Sequence, residues 1–113
     1  MKKKDRIRKN EEFSSIISKR HSRGSRFFVV YWQKRKEDHA RIGISVSRKL
    51  GNAVVRNKVK RQLRMMCQEL IDLSSCPYDL IIIVKKGFLD MTYAENKKDL
   101  EILIKKNIIK QYE

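Results

Sequence analysis

Apolar residues recur along this chain with two different periods, and the switches between them mark out its elements. Behind Asn10, Glu11 and Glu12, the residues Phe13, Ile16 and Ile17 fall at helical spacing. Asn10 can cap that helix and the two acids suit its first turn, so a short helix is predicted from Asn10 to near Arg20. Residues 21–26, rich in Ser, Arg and Gly, predict a turn, with room for an extra short strand near 21–25. Phe27 to Trp32 is aromatic and β-branched and reads as a strand, with Phe27, Val29 and Tyr31 on one face and Phe28, Val30 and Trp32 on the other. The second trio is assigned to the core. Residues 33–39 are polar or charged and predict a hairpin loop, and Ala40 to Ser47 a second strand with Ile42, Ile44 and Val46 on one face.

Gly51-Asn52 then marks a tight turn, with Asn52 as a helix N-cap. From about Ala53 to Leu73 the residues Val55, Val59, Leu63, Met66, Leu70 and Leu73 fall within an arc of about 80° at 100° per residue, one clean apolar stripe. Ser74, Ser75 and Pro77 are expected to end this helix. Tyr78 to Val84 predicts an apolar strand of the kind buried on both faces at the centre of a sheet. Thr92 and Glu95 make a capping box, and Leu100, Leu103, Ile104 and Ile108 give a last helix its apolar side. The expected fold is an α/β (α+β) two-layer sandwich in the order α-β-β-α-β-α. With 113 residues and no interdomain linker, residues 1–113 are expected to form a single domain, residues 1–9 being a mobile basic arm.

Charge changes this picture more than composition does. The formal net charge is +15, and residues 1–64 hold 21 of the 28 Lys and Arg but only 5 of the 13 Asp and Glu. From His39 through Gln68 there is no acidic residue, while Arg41, Arg48, Lys49, Arg56, Lys58, Lys60, Arg61 and Arg64 fall inside that window. Like charges repel in a compact chain, so a polyanionic partner is the simplest compensation. A solubilising surface would mix signs throughout, and a membrane-surface helix would expose bulky apolar residues between its cations. No apolar run approaches the length of a membrane span, and no apolar stretch follows the basic N-terminus as in a signal peptide. Cys67 and Cys76 match neither a redox nor a zinc spacing and are read as reduced thiols of a cytoplasmic protein.

On the predicted basic helix, Arg56, Lys60 and Arg64 lie at i, i+4 and i+8, with Asn57 and Arg61 on an adjacent line. Guanidinium groups grip phosphate oxygens in pairs, Lys supplies point charge, and an Asn can read a base edge or a ribose hydroxyl. Arg48 and Lys49 sit just before the helix N-terminus, whose free N–H groups also attract phosphate. Tyr31, with Phe13 and Ile17, could line a groove where unpaired bases stack. No catalytic constellation is visible. His21 and His39 read as surface or phosphate-contacting side chains, and the pairs Glu11/Glu12 and Glu37/Asp38 sit on solvated segments. The basic region also lacks the carboxylates of a two-metal nuclease. These features say nucleic acid without saying which, and leave open an RNA chaperone, a DNA-coating protein and a nuclease.

The run from Gly43 through Arg64, Gly-Ile-Ser-Val-Ser-Arg-Lys-Leu-Gly-Asn-Ala-Val-Val-Arg-Asn-Lys-Val-Lys-Arg-Gln-Leu-Arg, closely resembles the signature of the bacterial ribonuclease P protein subunit. It includes that family's Arg-Asn-Arg motif, here Arg56, Asn57, Lys60, Arg61 and Arg64. The similarity extends to Arg6 through Phe13, to Arg26 through Tyr31 and to the Leu-Ile-Ile-Ile-Val strand. The resemblance implies a left-handed β-α-β crossover, a catalytic partner in the ribonuclease P RNA, and precursor tRNA as the substrate whose 5′ leader is removed. It implies that Phe13, Ile17, Val29 and Tyr31 line a cleft for the single-stranded leader. Ile17 stands where many relatives carry an aromatic, and an aliphatic side chain packs on a base but stacks poorly. Arg48, Lys49, Asn52, Arg56, Asn57, Lys60, Arg61 and Arg64 would contact the catalytic RNA and leader phosphates. Mg²⁺ would be held mainly by RNA, with none bound by the protein alone, no catalytic side chain in this chain, and no membrane or obligate protein partner.

Overall fold

Residues 1–109, which the computed structural model describes, form three helices and a four-stranded sheet. In chain order these are α1 (Asn10–Ser18), β1 (Ser22–Gly24), β2 (Phe28–Lys34), β3 (Ile42–Ser45), α2 (Ala53–Leu70), β4 (Tyr78–Val84) and α3 (Tyr93–Ile104). The strands lie in the order β1-β2-β4-β3. β4 is antiparallel to β2 and parallel to β3, so β3, α2 and β4 form a β-α-β unit. The expected hairpin between β2 and β3 is therefore corrected: the two strands are not neighbours. The reason lies in β4, where residues 79–82 are buried in succession, an environment that only a strand with neighbours on both edges and cover on both faces provides.

Alternation along β4 divides the interior in two. Leu80, Ile82 and Val84 join Phe28, Val30, Trp32 and Ile42 in the main core, against Val59, Leu63 and Met66 of α2 and Leu100, Leu103 and Ile104 of α3. Ile81 belongs to a smaller cluster on the opposite face, with Ile7 and with Ile16 of α1. Phe27, expected to share a face with Val29 and Tyr31, precedes the strand and is buried in the main core.

Local chemistry sets most element ends. Asn52 caps α2, its side chain accepting a hydrogen bond from the Val55 N–H, and Thr92 and Glu95 form the expected reciprocal capping box on α3. Asn10 is the first residue of α1 rather than its cap, and that helix stops at Ser18, just before Arg20 adopts φ 59°. α2 ends at Leu70, short of Leu73, because Ile71 turns extended and Asp72 accepts hydrogen bonds from the Ser74 backbone and hydroxyl. The first residues, expected as a basic arm, make contact with the sheet. Ile7 is buried, its N–H donates to the Ile42 carbonyl at 2.9 Å, and the segment lies against β3.

Candidate nucleic-acid interface

The turn Arg48–Leu50 leads into α2 and is held by Ser47, whose hydroxyl accepts from the Lys49 N–H at 3.1 Å. Arg48 and Lys49 are thereby exposed close to the N-terminus of α2. Asn52 lies there too, but its side-chain Oδ1 is committed to the helix cap, accepting from the Val55 N–H at 3.1 Å. Along α2 the two lines of polar residues meet different surroundings. Asn57 and Arg61 are exposed, whereas Arg56, Lys60 and Arg64 are half-buried. Arg56 Nε is buried without a hydrogen-bond partner. Arg64 borders a small cavity of about 130 Å³ together with Arg6 and Arg8. Burial first, and then repulsion from Arg6, push its guanidinium below the ordinary arginine value. Among the described residues, none of Arg48, Lys49, Arg56, Lys60, Arg61 and Arg64 has a carboxylate within ion-pair distance.

A larger cleft of about 590 Å³ opens between α1, β3 and α2. Phe13 and Ser14 line it from α1, Ile44 and Ser45 from β3, Lys60 from α2, and Arg8 from the N-terminal segment. Two of the sequence-predicted residues, Phe13 and Lys60, thus share one cavity. Ile17 and Tyr31 lie outside its lining. They pack, half-buried, with Phe13 and Ile83 around the smaller cluster. Val29 is half-buried and pairs with Ile83, which pairs with Ser45 in turn, so one row of the sheet runs from Val29 to the cleft. An aromatic ring, apolar side chains and cations therefore line one concave region.

Sequence reasoning missed Gly43, Ser45 and Ile83. A Cβ on Gly43 would stand 2.8 Å from Phe13 Cζ, so only glycine lets that ring lie on the strand. The available signal was the small residues in alternate phase with Ile42 and Ile44, which mark a strand face approached closely by something else. Two assignments change. Glu12 is half-buried and paired rather than free: its Oε2 accepts a hydrogen bond from Arg41 Nη2 at 2.7 Å, and this bond above all lowers the Glu12 carboxyl below its ordinary value. His39 is not a free surface side chain, because its ring nitrogens meet Asp38 Oδ1 and the Lys4 carbonyl, both at 2.8 Å. Burial holds both thiols in the protonated form: it pushes Cys67 up to about 12 and likewise raises Cys76. No helix among the described residues is long and apolar enough to cross a membrane.

Comparison with known proteins decides the family. The family model for ribonuclease P matches residues 1–107. The chain belongs to the ribonuclease P protein family. It is 47% identical over 112 residues to the ribonuclease P protein component of Bacillus mycoides, covering 98% of this chain and 97% of that protein. Among solved structures, the RNase P protein of Staphylococcus aureus superposes with a TM-score of 0.82 at 42% identity, covering 93% of this chain and 96% of that one. The RNase P protein of Thermotoga maritima superposes with a TM-score of 0.75 at 29% identity, covering 96% and 97%. Membership of the ribonuclease P family makes this an RNA-binding protein of tRNA 5′ processing, whose partner is the RNase P RNA.

Proposed function

We propose that this chain holds the catalytic RNA of ribonuclease P with the exposed side of α2, and the single-stranded 5′ leader of precursor tRNA in the cleft beside α1. The observation that carries the reading is the shared cleft of Phe13 and Lys60, an aromatic face beside a cation that has no carboxylate partner among the described residues. A base can stack on an aromatic side chain while the phosphate next to it meets a cation. Tyr31, Ile17 and Val29 extend the apolar surface for further unpaired bases. Lys60 and Arg64 neutralise leader phosphates, while Arg48, Lys49, Asn52, Arg56, Asn57 and Arg61 face the catalytic RNA.

Bond cleavage in this reading belongs to the RNA subunit, with Mg²⁺ held mainly by RNA. Among the described residues the cleft lining holds no carboxylate, and Glu12, next to Phe13 on α1, is engaged by Arg41 rather than offered to a Mg²⁺ ion. This chain's own residues bind and orient: they raise the local affinity for an RNA that carries a leader and leave phosphodiester hydrolysis to their partner. The test is cleavage of precursor tRNA by the purified protein with and without ribonuclease P RNA. The expected result is no cleavage by protein alone, and removal of the leader at low Mg²⁺ when both are present. Cleavage that survives complete removal of RNA would overturn the proposal.

A further inference from the structure

One cation of the acid-free stretch is turned inward. Arg41 Nη2 donates to Glu12 Oε2 at 2.7 Å and to Asp79 Oδ2 at 3.2 Å, and the Arg41 backbone N–H donates to Asp79 Oδ1 at 2.9 Å. The Arg41 side chain is 11% exposed and that of Asp79 is fully buried. Asp79 sits on β4, the central strand, with both carboxylate oxygens held. That end of the link is fixed. Its other end is on α1, at the residue directly before Phe13, whose ring rests on Gly43.

A buried ion pair is a weak source of stability, because desolvation offsets most of the attraction. It does specify geometry, since Arg41 and the fully buried Asp79 tolerate little change of distance, and Glu12, whose side chain is 24% exposed, reaches the guanidinium so fixed from the rim. We infer that Arg41 is a positioning residue: by joining Glu12 of α1 to Asp79 of β4, it fixes how α1 stands over the sheet and so sets the width of the cleft that receives the leader. The inference rests on the leader-binding reading of that cleft. Glu12 and the Phe13–Gly43 contact then hold adjacent residues of α1 by independent means, one ionic and one steric.

Electrostatics gives the test an unusual sign. Glu12 is an acid on a protein that binds polyanions, so removing it should strengthen binding of every RNA if charge alone matters. A positioning role predicts the reverse, and only for RNA with a leader. Holoenzymes carrying Glu12→Ala, Glu12→Gln, Glu11→Ala and Tyr31→Ala would be titrated with precursor tRNA and with leaderless mature tRNA. Glu12→Ala leaves the Arg41–Asp79 pair intact, so a folded protein is expected, with the melting midpoint as a check. The expected result is a roughly three- to ten-fold loss of precursor affinity with mature tRNA affinity equal or slightly higher, a part of the energy that stacked bases bring. Glu12→Gln, whose amide oxygen still accepts from Nη2, should recover most of that loss. Glu11→Ala, on the exposed side of the same helix, should show only the small general gain. Unchanged or improved precursor binding by Glu12→Ala, while Tyr31→Ala loses it selectively, would overturn the positioning role and keep the leader cleft. Equal losses for both RNAs in Tyr31→Ala would overturn the leader cleft itself, and the inference with it.

Discussion

Val59 and Arg61 lie two residues apart on α2 and serve opposite sides of it. Val59 is 2% exposed against the main core, while Arg61 is exposed and without a carboxylate partner among the described residues. Truncating each to alanine separates folding from binding. Arg61→Ala should leave the melting midpoint nearly unchanged and cost about 1–3 kcal/mol of binding to the RNA subunit, with the salt slope smaller by about one. Val59→Ala should lower stability by roughly 1–3 kcal/mol, with RNA contacts intact in the folded fraction. Denaturant titrations and binding isotherms at several salt concentrations check the pair. A binding loss for Val59→Ala larger than that for Arg61→Ala would mean the two faces of α2 are assigned the wrong way round. Arg41 is the counter-example at this scale. Its charge is countered by carboxylates 29 and 38 residues away, so the sequence presented it as one more free cation.

Elements with a single apolar face were legible, because periodicity reports burial directly. The stripe on α2 is the example; the dense run in β4 was legible for the opposite reason, burial on both faces, and the start of α3 from its capping box. Pairing between strands was not legible, because a polar loop after β2 looks the same whether the next strand pairs with it or lies one position away. The N-terminal segment was misread for a related reason. Its cations dominate the composition, yet its position is set by Ile7 and by backbone and histidine contacts that leave no pattern. That segment should respond to pH. Its link to the loop after β2 is His39, whose imidazole is raised above its ordinary value, first by the hydrogen bond with Asp38 and then by the Lys4 carbonyl. A raised value in the folded state means that this contribution is complete below the unfolded value of about 6.5 and is lost as pH rises through the folded one. Hydrogen exchange at the amides of residues 3–7 should therefore quicken as His39 loses its proton, followed by NMR titration of its ring. Protection that stays constant through that titration would show that the imidazolium does not hold the segment.

At the scale of the whole molecule, a charge of +15 on one 113-residue chain works against compactness. Binding an anion relieves that repulsion only in the folded state, where the cations are gathered. Ribonuclease P RNA should therefore raise the melting midpoint, strongly at low salt and little at high salt. A midpoint indifferent to RNA at low salt would place the binding surface elsewhere. The family's RNA partner and this charge distribution are thus two aspects of one design, in which residues 1–64 supply the excess positive charge while both halves of the chain build the core. The sheet adds a constraint in time. β2 and β3 are made first yet share no ladder, and the strand that joins them, β4, begins only at Tyr78. During synthesis, the earlier strands and the whole basic helix emerge before the piece that can bring them together. A ribosome paused short of Val84 therefore carries a cationic segment whose sheet cannot yet close and which can already meet RNA, while α3, which brings Leu100, Leu103 and Ile104 to the main core, has still to follow.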